Sequence, residues 1–172
     1  MAKKNTEFTD AIMLLKADHQ TVKDLFKQFQ QTEDADEQLD LAEQICDELK
    51  IHAQIEEEIF YPAFRGKIDD DMLDEAIVEH DGAKVLINDL VANGDDDPFF
   101  AAKVTVLCEE ITHHVEEEEM PKEGMFAQCR ATDVDLVELR DQLLARKMEL
   151  MKLADTKGLP PAQLAAVNLA AA

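Results

Sequence analysis

Four of the chain's five histidines fall where a helix would place an apolar core residue, one in each of four predicted helices. Two of them are followed one helical turn later by a glutamate, in His-x-x-x-Glu pairs. These six residues are His19, His52, Glu56, His80, His114 and Glu118. Burying neutral imidazoles and ionised carboxylates among leucines costs free energy unless a cation lies between them. The set therefore predicts a metal centre inside a helical protein.

The adjacent pair His113 and His114 tests this assignment, because successive residues of an α-helix are rotated by about 100°. His114 aligns with the apolar positions of its helix, whereas His113 aligns with acidic ones. The same rotation selects Glu56 and Glu118 as the inward-facing members of two acidic runs. We interpret His113 as an exposed imidazole and the remaining glutamates of these runs as solvated or supporting groups.

Each feature alone has a simpler explanation. A single buried histidine is usually a hydrogen-bonded core residue, and one polar pair a helical turn apart is common on surfaces. Six such residues on four helices, however, do not easily satisfy one another without an ion. Imidazole and carboxylate without thiolate suit iron, manganese, zinc or copper, and argue against an all-oxygen calcium or magnesium site. Six ligands exceed the four of a closed zinc site, so they fit two metals that share the glutamates. A carboxylate-bridged pair of non-haem iron ions matches best, with zinc or manganese as alternatives.

Apolar residues recur at three- and four-residue steps and predict four amphipathic helices joined by short loops. The first predicted helix runs from Thr9 or Asp10 to about Gln31, and the second from Asp36 to about Tyr61, before Pro62. The third runs from the caps at Asp69–Asp71 to Asn93. The fourth begins at an Asp97-Pro98 cap, and Pro121 and Gly124 must kink or end it. Short loops make successive helices antiparallel. The predicted fold is therefore an all-α, up-down-up-down four-helix bundle.

A fifth predicted helix carries no histidine. Thr132 and Asp135 have the spacing of a capping box at its start, and Gly158 with the following prolines ends it. We therefore predict a bundle over residues 1–130, followed by a C-terminal helix and an Ala-rich tail over 131–172. That helix packs on its own bundle or forms a homodimer contact, and the tail forms a loose last helix or none.

Composition narrows the classes of function. The 172 residues carry a formal net charge of −22, which disfavours binding to nucleic acid or to an anionic membrane surface. No apolar run approaches the roughly 20 residues that span a bilayer, and the first residues lack the apolar core of a signal peptide. Cys46, Cys108 and Cys129 form neither a thiolate metal motif nor a clear disulfide frame. We expect reduced thiols in a cytoplasmic protein.

The motifs resemble one known family. A histidine in KADHQTVKDLF, His-x-x-x-Glu in IHAQIEEEIFYP, a histidine in VEHD and His-x-x-x-Glu in HHVEEEEMP follow in the order of the hemerythrin-like, or HHE cation-binding, domain. The resemblance covers roughly residues 10–128. It implies a non-haem di-iron centre whose ligands are the six residues named above. It also implies roles such as binding O₂ or NO, handling iron or sensing redox state.

Two departures from the family pattern matter. Oxygen-carrying hemerythrins have a fifth histidine one turn from the histidine of the third helix, where this chain has Ala76 and Lys84 around His80. Simple reversible oxygen carriage is therefore not expected, and one metal position stays open for solvent or another protein group. In addition, Pro121 follows Glu118 closely, so we expect the fourth helix to bend near that ligand.

Three functions follow from these residues. The first is a binding or sensing protein whose open metal position takes a diatomic gas or peroxide. The second is a di-iron enzyme (a ferroxidase, a peroxidase-like catalyst or one that reduces NO), with Lys84 and Tyr61 as candidate groups near the site. The third is a bundle that zinc merely braces. Metal content together with an optical spectrum separates them.

Overall fold

A computed structural model describes residues 8–169, which are mainly helical and include no β-strand. The helices are α1 (Ala11–Gln31), α2 (Ala35–Ile55), α3 (Tyr61–Phe64), α4 (Asp70–Asn93), α5 (Phe100–Glu119), α6 (Met125–Arg130) and α7 (Leu136–Lys157). A π-helical segment, Glu56–Phe60, joins α2 to α3, and a 3₁₀ turn, Gly94–Asp96, follows α4. Within these residues no helix has the length and apolar character to cross a membrane.

Aspartate side chains cap the N-termini of α1, α2 and α4. Asp10 accepts a hydrogen bond from the backbone N–H of Met13 at 2.9 Å, and Asp34 and Asp69 cap α2 and α4 in the same way. Such caps satisfy N–H groups that have no partner within the helix. At the other end of α4, Gly94 has a φ of 58°, a backbone conformation that favours glycine. These boundaries confirm the predicted ones for the first and third long helices.

In α1, α2 and α4, the buried residues at the two ends of the helix belong to different apolar clusters, and this shows how the helices are arranged in the bundle. One apolar cluster contains the start of α1, the end of α2 and the start of α4, while a second contains the end of α1, the start of α2, the end of α4 and most of α5. Successive long helices therefore run in opposite directions, as predicted. His19, His52 and His80 each lie in the chain between residues of the two clusters. The polar site therefore forms a layer between the two apolar clusters.

The prediction that the second helix ends at Pro62 is wrong. The chain stays helical to Phe64 by passing through the π-helical segment, in which the N–H of Tyr61 donates to the carbonyl of Glu56, five residues earlier. A proline has no N–H to give and its ring crowds the carbonyl four residues before it. Widening the turn accommodates Pro62 without ending the helix.

The predicted bend near Glu118 does not displace that residue. Helix α5 runs without a break to Glu119, and Pro121 lies beyond its end. The helix begins at Phe100 and not at Pro98, because Asp97 caps a turn that precedes it. Sequence analysis missed α6, which begins after Gly124. A Cβ at Gly124 would lie 2.6 Å from the carbonyl oxygen of Met120, so only glycine fits this tight turn.

Helix α7 begins four residues later than predicted. Its cap is Asp135, which accepts hydrogen bonds from two backbone N–H groups, while the Thr132 hydroxyl donates to the carbonyl of Cys129. The predicted capping box is therefore wrong, since Thr132 ends the preceding turn. Leu139, Leu143 and Leu150 are buried, and α7 packs against α1 and α2. A homodimer contact through this helix stays a prediction.

The tail after Gly158 forms no helix in the part that the structure describes, and it lies along α4. Asn88 exchanges two hydrogen bonds with the backbone of Ala162, at 2.9 and 2.8 Å. The buried carboxylate of Asp81 accepts hydrogen bonds from the N–H groups of Ala165, Ala166 and Val167. The tail is thus fastened beside His80, the neighbour of Asp81 in the chain.

Candidate metal centre

The structure brings all six predicted site residues together in the layer between the two apolar clusters. Each is at most 6% exposed: His19, His52, Glu56, His80, His114 and Glu118. The Nε2 atoms of the four histidines lie in two pairs, His19 with His52 at 3.1 Å and His80 with His114 at 3.2 Å. One histidine from each of the four long helices therefore points its Nε2 atom at the same interior space.

The two glutamates connect the two histidine pairs. Glu56 Oε2 lies 3.2 Å from His52 Nε2 and 3.4 Å from His80 Nε2. Glu118 lies between the other two imidazoles, at 3.3 Å from His19 and 3.6 Å from His114. Ligand atoms close enough to hold an ion form two groups, His19, His52, Glu56 with Glu118 and Glu56 with His80 and His114. The two groups of candidate ligands therefore share the carboxylate of Glu56.

Two buried oxygen atoms show that this cluster is incomplete without an ion. Glu56 Oε1 and Glu118 Oε2 form no hydrogen bond with any other described residue, although Glu118 Oε2 is only 3.3 Å from His19 Nε2. Leaving a buried carboxylate oxygen unpaired is costly. Imidazole nitrogens and carboxylate oxygens are also the donors that iron, manganese and zinc accept. The residues present therefore fit bound metal cations.

The outer nitrogen of each histidine faces a carboxylate. The Nδ1 atom of His19 lies 2.7 Å from Glu119, and that of His52 lies 3.5 Å from Asp18. The Nδ1 atom of His80 lies 2.9 Å from Glu57, and that of His114 lies 2.7 Å from Glu79. A carboxylate at Nδ1 holds the ring with Nε2 free for a metal and makes that nitrogen a stronger donor. Sequence analysis anticipated this supporting role for glutamates of the acidic runs but missed Asp18 and Glu79. Each of these directly precedes a site histidine in the chain, which is the signal that could have found it.

Helix α7 and a buried lysine support these carboxylates. Lys147 of α7 forms an ion pair with Asp18. Lys84, predicted as a candidate group near the site, binds Glu57 at 2.7 Å and Asp81 at 3.2 Å. It therefore acts one contact away from the histidines and does not replace the missing ligand.

The hydroxyl of Tyr61 lies inside the site. It donates to Glu118 Oε1 at 2.9 Å or Glu56 Oε2 at 3.1 Å, and it is 3.4 Å from His80 Nε2. Burial raises the pKa of this hydroxyl, and the two carboxylates raise it further, so it stays protonated. Tyr61 thus places a neutral hydrogen-bond donor between the two glutamates.

In the polar layer between the apolar clusters, neighbouring charges affect the pKa values of the site residues more than burial does. Burial by itself would lower the pKa of His80, but Glu56 and Glu57 outweigh it and raise the pKa to about 9. His52 behaves alike, since Glu56 and Asp18 hold its pKa well above the usual value. The pKa of Glu56 is well below its usual range because the two imidazoles beside it outweigh the effect of burial. Without metal, the site therefore retains protons that an incoming cation must displace.

Apolar side chains surround this polar layer. A cavity of about 20 Å³ touches all four histidines and is walled largely by Val22, Leu49, Ile87 and Ile111. On the opposite side the ring of Phe126 stacks on His19 at 5.7 Å between ring centres. On this side of the site, apolar side chains therefore leave only a small space beside the histidines.

Comparison with known proteins agrees with this geometry. The sequence profile of the Hemerythrin HHE cation binding domain matches residues 10–127. A DNA nickase from Nostoc sp. is 30% identical over 106 residues, which make up 62% of this chain and 30% of that protein. The chain thus matches less than a third of that relative's length. This chain also superposes on the crystal structure of a hemerythrin HHE cation binding domain-containing protein from Mycobacterium kansasii with a TM-score of 0.68. The two sequences are 22% identical, and the superposition covers 87% of this chain and 94% of the Mycobacterium kansasii chain.

The profile match covers most of the chain, and the superposition shows the same fold. The fold and the buried histidines define the class, a cation-binding helical bundle. The chain belongs to the hemerythrin HHE cation-binding family. This confirms the resemblance predicted from the order of the motifs.

Proposed function

We propose that the protein holds two iron ions in the buried centre and uses them to bind a diatomic gas or peroxide. The observation that carries this proposal is the pair of orphaned oxygens, Glu56 Oε1 and Glu118 Oε2, within a cluster of four inward-facing Nε2 atoms. His19, His52 and Glu118 would hold one ion and His80 and His114 the other, with Glu56 in reach of both. Six protein residues for two ions would leave coordination positions free for a small ligand. Iron bound here supplies the redox and ligand-binding chemistry.

The protein's own residues suit a small apolar ligand. The cavity of about 20 Å³ admits little more than a diatomic molecule, and its walls disfavour water. The hydroxyl of Tyr61 does not line this cavity but contacts both glutamates, so it can donate a hydrogen bond to a ligand that takes the place of a carboxylate oxygen. The carboxylates at Nδ1 keep the imidazoles oriented throughout.

Metal content and an optical spectrum test the proposal. Protein purified without added metal, and apo-protein reloaded to equilibrium with ferrous iron, should contain two ions per chain. Visible absorption should change on adding O₂, azide or NO. His114→Ala should lose at least one ion, whereas His113→Ala is the matched control on the same helix, since the side chain of His113 is 66% exposed. Stoichiometric zinc with no visible spectrum would contradict the iron assignment and favour a metal that only braces the bundle.

A second candidate is a di-iron enzyme, which the position of Tyr61 favours. A protonated hydroxyl within 3.4 Å of both glutamates and His80 can hold a proton at the reacting centre. Repeated turnover of peroxide or ferrous iron, lost in His80→Ala and slowed in Tyr61→Phe, would support this candidate over simple binding. A single binding event per metal pair would exclude it.

The nickase activity of the Nostoc relative forms no part of the proposal. The match covers 30% of that protein, and the net charge of −22 disfavours contact with phosphate backbones. The proposed ligands are therefore small molecules.

A further inference from the structure

A cavity of about 280 Å³ lies between the C-terminal tail and the helices α2 and α4. One wall contains Lys50 of α2, and another is formed by residues 159–163 of the tail. The tail is held in this position because Asn88 of α4 exchanges two hydrogen bonds with the backbone of Ala162. The wall is therefore a built part of the fold. We call this space the tail cavity.

Lys50 is a buried lysine without a partner. The residue is 7% exposed, and its ammonium group forms no ion pair or hydrogen bond with any described residue. The ammonium group is also not sealed inside the protein, so it opens onto the space that the side chain lines. A lysine commonly buries its stem and keeps its charged end in water. Here the charged end meets a cavity bounded by protein, and no counter-charge lies within ion-pair distance.

The other charged residues that line the tail cavity have ion-pair partners. Glu57 pairs with Lys84 at 2.7 Å, and Glu58 pairs with Arg146 at 2.8 Å. Glu57, Glu58 and Lys84 all line the cavity together with Lys50. Among the described residues, Lys50 is therefore the one charged side chain of this wall that lacks an ion-pair partner. Because its positive charge is uncompensated, the cavity favours an anion over a cation.

The walls of the tail cavity indicate which kind of anion fits. Residues 159–162 of the tail, with the sequence Leu-Pro-Pro-Ala, contribute apolar side chains. A phosphate group carries nearly two charges and is usually bound by several donors, whereas one unpaired ammonium group is available here. One positive charge beside apolar walls instead matches a single carboxylate on a short apolar body. The ligand must be small, since pockets for drug-sized molecules measure roughly 300–1,000 Å³.

A neighbouring cavity of about 220 Å³ indicates the orientation of the ligand. Lys50 and Leu159 line it as well, together with Glu43 and Asp47. Neither of these two acidic residues forms an ion pair with a described residue, so they disfavour an anion in this second space. We therefore expect the carboxylate of the ligand on the tail-cavity side of Lys50.

We propose that the tail cavity binds a small organic carboxylate. The anionic group of the ligand pairs with the ammonium group of Lys50, and its apolar part packs on residues 159–162 of the tail. The inference goes beyond the proposed function and does not require iron. The site nevertheless lies close to the buried centre, because Glu57 of its wall is 2.9 Å from Nδ1 of His80.

The test titrates full-length protein with hexanoate, which joins one carboxylate to a short alkyl chain, and follows binding by NMR. Lys50→Met removes the charge and keeps the unbranched shape, and the variant should fold normally because the lysine has no partner to lose. Lys23→Met is the matched control, since Lys23 is an exposed lysine of α1 that does not line the cavity. Wild type and control should bind hexanoate equally. Lys50→Met should bind it roughly 10- to 100-fold more weakly, as expected for a lost hydrogen bond between charged groups.

Two further measurements place the ligand against the tail. Leu159→Ala should bind hexanoate roughly three- to tenfold more weakly, because it removes part of the apolar wall. Hexanoate should slow limited proteolysis of the tail in wild type and not in Lys50→Met. The probe 1-hexanol, which has the same alkyl chain without the charge, should bind more weakly than hexanoate, and so should inorganic phosphate.

Each outcome decides the assignment. Failure of wild type to bind hexanoate, or equal binding by wild type and Lys50→Met, would overturn the site. Tighter binding of phosphate than of hexanoate would overturn the choice of an apolar carboxylate. If Lys50→Met did not fold, equal binding of 1-hexanol and hexanoate to wild type would still contradict the role of Lys50. All three variants keep the six residues of the buried centre, so metal content tests the proposed function separately.

Discussion

Replacing Tyr61 by phenylalanine removes one oxygen atom from the middle of the buried centre. That oxygen lies 2.9 Å from Glu118 and 3.1 Å from Glu56, and the side chain is 1% exposed. Water therefore cannot readily substitute for it. The ring itself should stay in place, because its packing against Phe60 and the stacking on His80 involve no hydroxyl.

The cost depends on whether metal is bound. Without metal, Tyr61→Phe leaves two buried carboxylates with one fewer donor, and hydrogen bonds to charged groups contribute about 1.5–3 kcal/mol each. Since one hydroxyl proton serves two acceptors, we expect a loss of about 2–3 kcal/mol, or roughly 4–12 °C in melting temperature for a chain of this size. With metal bound, the ions neutralise the carboxylates, and the loss should fall to about 1 kcal/mol.

Chemical unfolding of the apo and metal-loaded forms measures both values. Phe64→Leu is the control, because Phe64 packs in the apolar cluster three residues along the chain and contacts no site residue through a polar atom. It should destabilise the two forms equally. If Tyr61→Phe also lowered the stability of both forms by the same amount, its hydroxyl would not interact with the metal-binding carboxylates, and the reasoning would fail.

Three further predictions concern the rest of the chain. Cys108, which is partly exposed, should react with a thiol reagent at least about tenfold faster than Cys46 and Cys129, because burial shields both and raises their thiol pKa. In metal-free protein the folded pKa of His80 is about 9 and exceeds its ordinary value of 6.5, so the stability it contributes is present below pH 6.5 and lost as the pH rises through 9; urea unfolding at pH 6.5 and 9.5 should show this decline in the apo form. Asp81→Ala should cost about 1–3 kcal/mol, because three backbone N–H groups lose their acceptor, and limited proteolysis should cleave the C-terminal tail faster.

Most of the site could be predicted from the sequence because helical rotation is regular. Residues three or four apart share a face, so the apolar stripes alone select His114 over His113 and Glu118 over its neighbours. The structure places each of these as expected. The outer carboxylates were harder to predict, since Glu79 reaches His114 from a different helix. Their assignment needs the relative rotation of two packed helices, which no stripe on one helix specifies.

The sequence predicted Tyr61 only as a candidate group near the site, because its position depends on a local departure from regular α-helix. In a regular α-helix a residue five positions after Glu56 is rotated by about 500°, or 140° from the same face, so the two side chains would diverge. The segment Glu56–Phe60 is π-helical, and its hydrogen bonds span five residues instead of four. This wider turn brings Tyr61 back over Glu56, where the hydroxyl and the carboxylate meet at 3.1 Å.

Pro62 links this local irregularity to the chemistry of the centre. A proline cannot extend a regular ladder, and here the chain continues as a helix only with a widened turn directly before it. The same widening turns the Tyr61 hydroxyl toward the space between Glu56 and Glu118. The π-helical turn before Pro62 therefore determines which group can donate a hydrogen bond at the site, whereas the apolar stripes determine which groups can coordinate a cation.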